Sequence, residues 1–360
     1  MLSVRGIRCS ARFAGGSIVL LVALAAALWV PPFSVAEGVE AAREGLIFES
    51  SFEDGDLRGF YWHNNKPEIV GPPHPVRTGE RSMRTYLHRW ESDNPYRTEV
   101  IIGSRPDAPE GTQRPLILDI GAEYWIGFSI YIPEDFVPDT FRLSDVVFQV
   151  QATPDPGEDY RSPVFALEID EAAWRIIVRY DVRRQSPPGN EFTENQTLAR
   201  PELGAAVGAW TDWVIHVRWA YDETGYLRVW RNGEVVLEHD GPNCSNDEHG
   251  PHVALGLYKW PWRPSAPPNW EHQTDNRLFY FDDVRIGGAE ASYEDVSPSE
   301  RQPPAVALAP AAEPAAEPAA EPTAEPTPEP TPAPTPTPTP EDLLTRLRRW
   351  FEAVRSLLTG

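Results

Sequence analysis

Between Gly45 and Gly288 the apolar residues fall in short runs separated by turn residues, and several runs alternate at period two. Leu46-Ile47-Phe48, Tyr124 to Ile132, Val164 to Ile169, Trp174 to Tyr180 and Trp213 to Trp219 are rich in aromatic and β-branched side chains and read as strands. Asp222-Glu223-Thr224-Gly225 and Arg231-Asn232-Gly233-Glu234 read as turns between strands, the second as a tight hairpin because Asn-Gly accepts positive φ. Helical periodicity is almost absent from this stretch. Many short strands with frequent turns predict an all-β domain over residues 45–288, a sandwich or jelly roll.

The two ends follow other patterns. Arg5, Arg8 and Arg12 precede an apolar run from Ile18 to Val30, and Ser34-Val35-Ala36 offers a small-x-small cleavage site before Glu37. Residues 1–36 therefore read as an export signal or, left uncleaved, as an N-terminal membrane anchor. From 303 to 340 the chain is Pro, Ala, Glu and Thr apart from Val306 and Leu308, an extended spacer rising about 3.1 Å per residue. In residues 341–360, Leu343, Leu344, Leu347, Trp350, Phe351, Val354, Leu357 and Leu358 recur at helical spacing. Such an amphipathic helix on a tether implies self-association, a protein or membrane partner, or docking back on the main domain.

Composition narrows the function. The formal net charge is -22 and the only lysines are Lys66 and Lys259, so no basic stripe exists to neutralise phosphates and nucleic acid is excluded as a partner. The same charge opposes a polyanionic substrate unless arginines are focused in one place, within the roughly 10 Å over which salt does not screen them. Outside the signal-like segment the single cysteine is Cys244, so the domain relies on its core rather than on a disulfide. Tryptophan is abundant, 13 in all. Its indole fills cores and also stacks on sugar rings.

From Trp210 to Gly287 the order of features becomes specific. It runs Trp210-Thr211-Asp212-Trp213, Leu227-Arg228-Val229-Trp230-Arg231-Asn232-Gly233, Gly241-Pro242-Asn243, Leu255-Gly256-Leu257-Tyr258, then Tyr280-Phe281-Asp282-Asp283-Val284. Together with Phe52-Glu53-Asp54-Gly55 and Arg97-Thr98-Glu99 upstream, this resembles the concanavalin A-like jelly-roll polysaccharide lyases, the group of heparin lyase I-like and glucuronan lyase-like proteins. The resemblance implies a β-jelly-roll sandwich and cleavage of a uronic-acid polysaccharide by β-elimination, with no cofactor required. In alginate lyases of similar fold the inner sheet carries Arg-x-Glu, Gln-x-His and Gly-x-Tyr strands. By that resemblance Arg97 and Gln149 hold the uronate carboxylate and Tyr258 transfers the proton, with Glu99 orienting Arg97. Gln151, Glu99, Lys259 and Trp260 are further expected substrate contacts. Preorganised donors at the carboxylate suit the charge that builds there as its neighbouring proton leaves. The pattern departs at Gln151, where the family-like position is histidine, because an amide cannot act as a base. It departs again at Ala254, where lysine is frequent.

Singly, each residue has a plainer reading: Arg-x-Glu as a cross-strand ion pair, a buried Gln as a backbone partner, Tyr as core. His216 reads as a scaffold histidine; His249 and His252 could replace the missing imidazole from a loop, with exposed loop histidines as their plainer reading. Glu168-Ile169-Asp170 resembles the start of a glucanase motif, but Ala173 stands where the next carboxylate is needed. Glu53, Asp54 and Asp56, with Asp282 or Asp283, form a candidate structural calcium site. A second function stays open, a non-catalytic carbohydrate-binding module with Trp260, Trp262 and Trp270 as stacking surfaces. A third is an adhesion or scaffold protein working through the terminal helix.

Overall fold

The computed structural model describes residues 45–91, 94–111, 114–267 and 269–298; the signal-like segment, the proline-rich linker and the terminal helix lie outside them. Fifteen strands follow in chain order: β1 (Leu46–Ser50), β2 (Phe60–Asn64), β3 (Glu68–Val70), β4 (Ser82–His88), β5 (Arg97–Ile102), β6 (Glu123–Tyr131), β7 (Asp145–Thr153) and β8 (Phe165–Asp170). Then come β9 (Ala173–Tyr180), β10 (Glu194–Ala199), β11 (Trp210–Arg218), β12 (Tyr226–Arg231), β13 (Glu234–Asp240), β14 (His249–Tyr258) and β15 (Asn276–Gly287). A single α-helical turn, α1 (Tyr293–Val296), follows β15.

The strands form two antiparallel sheets. One has the order β13-β12-β11-β6-β15-β4-β3 with β1 also on β15, and the other β10-β9-β8-β7-β14-β5-β2. Neighbours in space are mostly distant in sequence, which makes the sandwich a jelly roll. The core lies between the sheets, where alternate residues of each strand point inward. Phe128 of β6 stacks on Phe148 of β7 with ring centroids 4.7 Å apart, and Trp174 of β9 meets Trp213 of β11 edge-on at 5.1 Å. The Asn-Gly hairpin joins β12 to β13 as expected, with Arg231 opposite Glu234 and positive φ at Asn232 and Gly233. Outside the sandwich, α1 buries Tyr293 and Val296 against Trp230 and Val214. His216 is the scaffold residue expected of it, stacked on Trp125 at 3.7 Å with Nε2 2.6 Å from Glu123.

Candidate active site

The three site stretches lie on adjacent strands, β7, β14 and β5, with β14 in the middle. Val100 and Ile102 of β5, Phe148 and Val150 of β7, and Val253, Leu255 and Leu257 of β14 enter the core. Strand alternation therefore turns Arg97, Glu99, Gln149, Gln151, His252, Ala254, Gly256 and Tyr258 to the opposite, outer face. Register fixes the rows: Tyr258 lies opposite Arg97, Gly256 opposite Glu99, Ala254 opposite Gln149 and His252 opposite Gln151. Ala254 and Gly256 leave the middle strand nearly bare, so side chains two strands apart meet over it. Gln149 Nε2 donates to Glu99 Oε1 at 2.5 Å.

From that contact a polar circuit extends in both directions. Glu99 Oε2 forms an ion pair with Arg97 Nε at 3.2 Å. Gln151 Nε2 donates to Gln149 Oε1 at 2.6 Å, and Gln151 Oε1 accepts from the Tyr160 hydroxyl at 2.5 Å. Tyr160 also hydrogen-bonds Arg97, which closes the ring of five side chains. Over this ring the Arg97 guanidinium stacks on Tyr258, 3.9 Å from the ring centroid. Arg97, Gln149, Gln151 and Tyr258 are thus brought together as the sequence implied.

Burial shapes the charges. It pushes the Glu99 carboxyl above the usual carboxylate range, against the pull of Arg97 and the Gln149 hydrogen bond. Burial alone would lower Arg97, but Glu99, Tyr258 and Tyr160 outweigh it and hold the guanidinium charged. Tyr160 is 67% exposed as a residue, yet its hydroxyl end is tucked among Arg97 and Gln151. Desolvation there pushes the phenol up, partly offset by Arg97.

Several expectations need correction. Lys259 does not face the sugar side. It is 0% exposed, and its ammonium sits 3.1 Å from Asp139 and 3.2 Å from Asp145, bonded also to the Leu143 carbonyl. Lys259 lies one residue past the end of β14, and its side chain turns away from Arg97 and Gln149 into this buried group. Glu99 is fully buried and consumed by Arg97 and Gln149, so it orients rather than touches substrate. Trp262 is buried beside Lys259 and His272 and is no stacking surface. Trp260 keeps a partly exposed position just beyond Tyr258, its Nε1 3.2 Å from Ser144 Oγ and its ring edge-on to Trp270.

His252 is not a loop residue either. It lies in β14 beside Gln151, half-buried, with Nδ1 buried and without a hydrogen-bond partner. Burial, aided by the charge of His63, pushes it down to about 4. His63 of β2 lies opposite Glu99 on the same face. Neither Tyr160 nor His63 carried a sequence signal: one sits in a Pro- and Asp-rich loop, the other in a strand that only pairing places beside the site.

Of the expected calcium ligands, Glu53, Asp54, Asp56 and Asp283 line one cavity of about 330 Å³, with none of the Arg97–Tyr258 group in its walls. Asp283 Oδ2 is buried without a donor, which suits a cation, but Glu53 already accepts from the backbone N–H groups of Glu80 and Arg81. Among the described residues, the acidic trio whose oxygens converge within 4.8 Å is instead Asp155, Glu158 and Asp247. Arg161 holds Glu158 and Asp247 in that trio, and Arg184 holds Asp155. A polymer site is an open face rather than an enclosed volume, so the cavity does not compete with the circuit as the seat of chemistry.

A profile of the polysaccharide lyases matches residues 52–285. The chain belongs to the polysaccharide lyase family. It is a lyase acting on polysaccharides, which decides between the enzyme and the inert module. Among solved structures, the endo-β-1,4-glucuronan lyase of the fungus Trichoderma reesei is similar, with a TM-score of 0.55, 21% identity, and 71% of this chain and 100% of that chain covered. The alginate lyase AlgAT5 of polysaccharide lyase family 7 is a weaker likeness, TM-score 0.37 at 11% identity, covering 63% of this chain and 84% of that one. The likeness to the glucuronan lyase shows the jelly-roll fold. No curated protein matches the chain.

Proposed function

We propose that this lyase cleaves a uronic-acid-containing polysaccharide by β-elimination, outside the cytoplasm. The observation that carries the reading is the closed circuit of Arg97, Glu99, Gln149, Gln151 and Tyr160 beside Tyr258. The ion pair with Glu99 runs through Arg97 Nε, and the guanidinium has further N–H donors for an incoming carboxylate. Arg97 is 15% exposed at its side chain, and Gln149 commits one amide N–H to Glu99 and keeps a second. Together they hold the C5 carboxylate of the uronate. Removal of the C5 proton by Tyr258 spreads negative charge onto that carboxylate, where the donors stabilise it. The electron pair then forms the C4–C5 double bond as the C4–O4 bond breaks. A focused arginine lets an acidic protein accept an acidic polymer, since short-range attraction beats a screened global field. The charged, apolar and small-residue order of residues 1–36 supports export.

The test uses the full chain with glucuronan, alginate and heparin, following the ultraviolet absorbance of the unsaturated uronate. Product from any of them supports the proposal, and absence of product from all overturns it. Tyr258→Phe is expected to abolish turnover with the melting temperature unchanged, and retained turnover would remove Tyr258 from the mechanism.

A further inference from the structure

We infer that Tyr160 is the second proton-transfer residue of this site, giving its hydroxyl proton to the glycosidic oxygen as it leaves C4 while Tyr258 takes the proton from C5. The inference rests on the β-elimination reading above. Gln151 has no proton it can exchange, but its carbonyl oxygen holds a group that does. The exchangeable proton has moved from residue 151 to a side chain bonded to it. Tyr160 shares Arg97 with Tyr258, so two phenols face one guanidinium over the same sheet face.

The loop carrying Tyr160 is built to hold it. Arg161, the next residue, is buried with its guanidinium on Glu158 at 3.1 Å and on Asp247 at 2.5 Å, and bonded to Ser186. Arg179 donates to the Pro163 carbonyl at 2.9 Å, and Ser162 N to Asn190 Oδ1 at 2.6 Å. The acidic trio that resembles a cation site is therefore the anchor of this loop. An anchored loop with an exposed ring delivers a fixed hydroxyl at low conformational cost.

The step balances. The C5–H bond breaks to the deprotonated oxygen of Tyr258, the C4–O4 bond breaks, and the C4–C5 double bond forms. The Tyr160 proton ends on O4 of the departing sugar, leaving a phenolate beside Arg97. Proton exchange with water then takes the proton from Tyr258 and returns one to Tyr160, which restores the starting phenolate and phenol. Desolvation of the Tyr160 hydroxyl keeps it protonated until the leaving oxygen needs it, as a general acid requires.

The experiment compares the full chain with its Tyr160→Phe variant on two substrates, the polymer and a synthetic uronide carrying 4-nitrophenoxide at C4. Nitrophenoxide leaves without protonation. The variant is expected to lose about 10²–10⁴-fold in kcat on the polymer, with KM within about threefold, and to match the parent on the nitrophenoxy substrate. Tyr258→Phe is expected to fail on both. Equal loss on both substrates, a change confined to KM, or undiminished polymer turnover would each overturn the role of Tyr160 while leaving β-elimination standing. A parent protein that forms no unsaturated product from any uronate polymer overturns both readings together.

Discussion

Replacing Lys259 with methionine separates support from contact. Its ammonium lies 3.1 Å from Asp139 Oδ2 and 3.2 Å from Asp145 Oδ1, inside a buried group that also holds Arg277, 2.8 Å from Asp145, and His272, 2.7 Å from Asp139. Lys259 and Arg277 balance the two carboxylates. Methionine fills the volume but leaves two buried anions facing one guanidinium, and Arg277 approaches Asp139 only at 4.0 Å. Breaking a buried pair from one side costs about 3–5 kcal/mol. At roughly 2–4 °C per kcal/mol for a domain of this size, the melting temperature falls by roughly 6–20 °C. Adding Asp139→Asn removes one stranded charge and returns part of that loss. The assay is thermal unfolding followed by circular dichroism, with polymer kinetics measured well below the transition. KM is expected to stay near that of the parent because the ammonium does not reach the sugar face. An unchanged melting temperature with KM raised tenfold would refute the buried cluster and restore Lys259 as a substrate contact.

Two further outcomes test the site's framework. Gly256 has φ +139°, and a Cβ there would lie 2.6 Å from the Thr98 carbonyl and 2.7 Å from the Glu99 Cα. Gly256→Ala is expected to cost about 1–3 kcal/mol in backbone strain and to lower kcat by parting Glu99 from Gln149, read by urea unfolding and polymer kinetics; a neutral substitution refutes the close approach. His252 is held down to about 4. The unfolded chain therefore binds a proton between pH 4 and about 6.5 that the folded one does not. Stability conferred by neutral His252 is present above that window and lost as pH falls through it, by on the order of 3 kcal/mol at most. His252→Gln is expected to flatten this part of the stability profile, and an identical slope in the variant counts against a buried neutral imidazole.

Much of the scaffold is legible in the chain because its signals are local. The alternation of Trp213 to Trp219, the Asn232-Gly233 turn and the Arg97, Gln149 and Tyr258 stretches each state strand, turn or face within a few residues. What escaped was set by pairing or parity. Lys259 follows a site residue by one position, and just past the end of β14 that single step takes its side chain from the site face into a buried ion cluster. His63 and His252 reach the site through register with Glu99 and Gln151, which no local pattern encodes. Glu53, Asp54 and Asp56 are acidic turn residues whose spacing resembles a cation site, while the acidic oxygens that converge among the described residues come from Asp155 and Glu158 of one loop and the distant Asp247.

Strand pairing also changes the meaning of Gln151. Along the chain it is a missing histidine, and a site lacking its base invites the conclusion that catalysis is lost. In three dimensions residue 151 is one position in a ring whose members come from β5, β7 and the loop after β7. An amide is the side chain that can accept from Tyr160 with its oxygen and donate to Gln149 with its nitrogen at the same time. A histidine there would offer one donor and one acceptor only in its neutral form, and would couple the ring to pH near neutrality. Gln151 therefore keeps the ring closed at any pH at which Tyr160 remains protonated. The proton-bearing function passes to a phenol held by a buried arginine network, and the apparent defect becomes the joint that positions it.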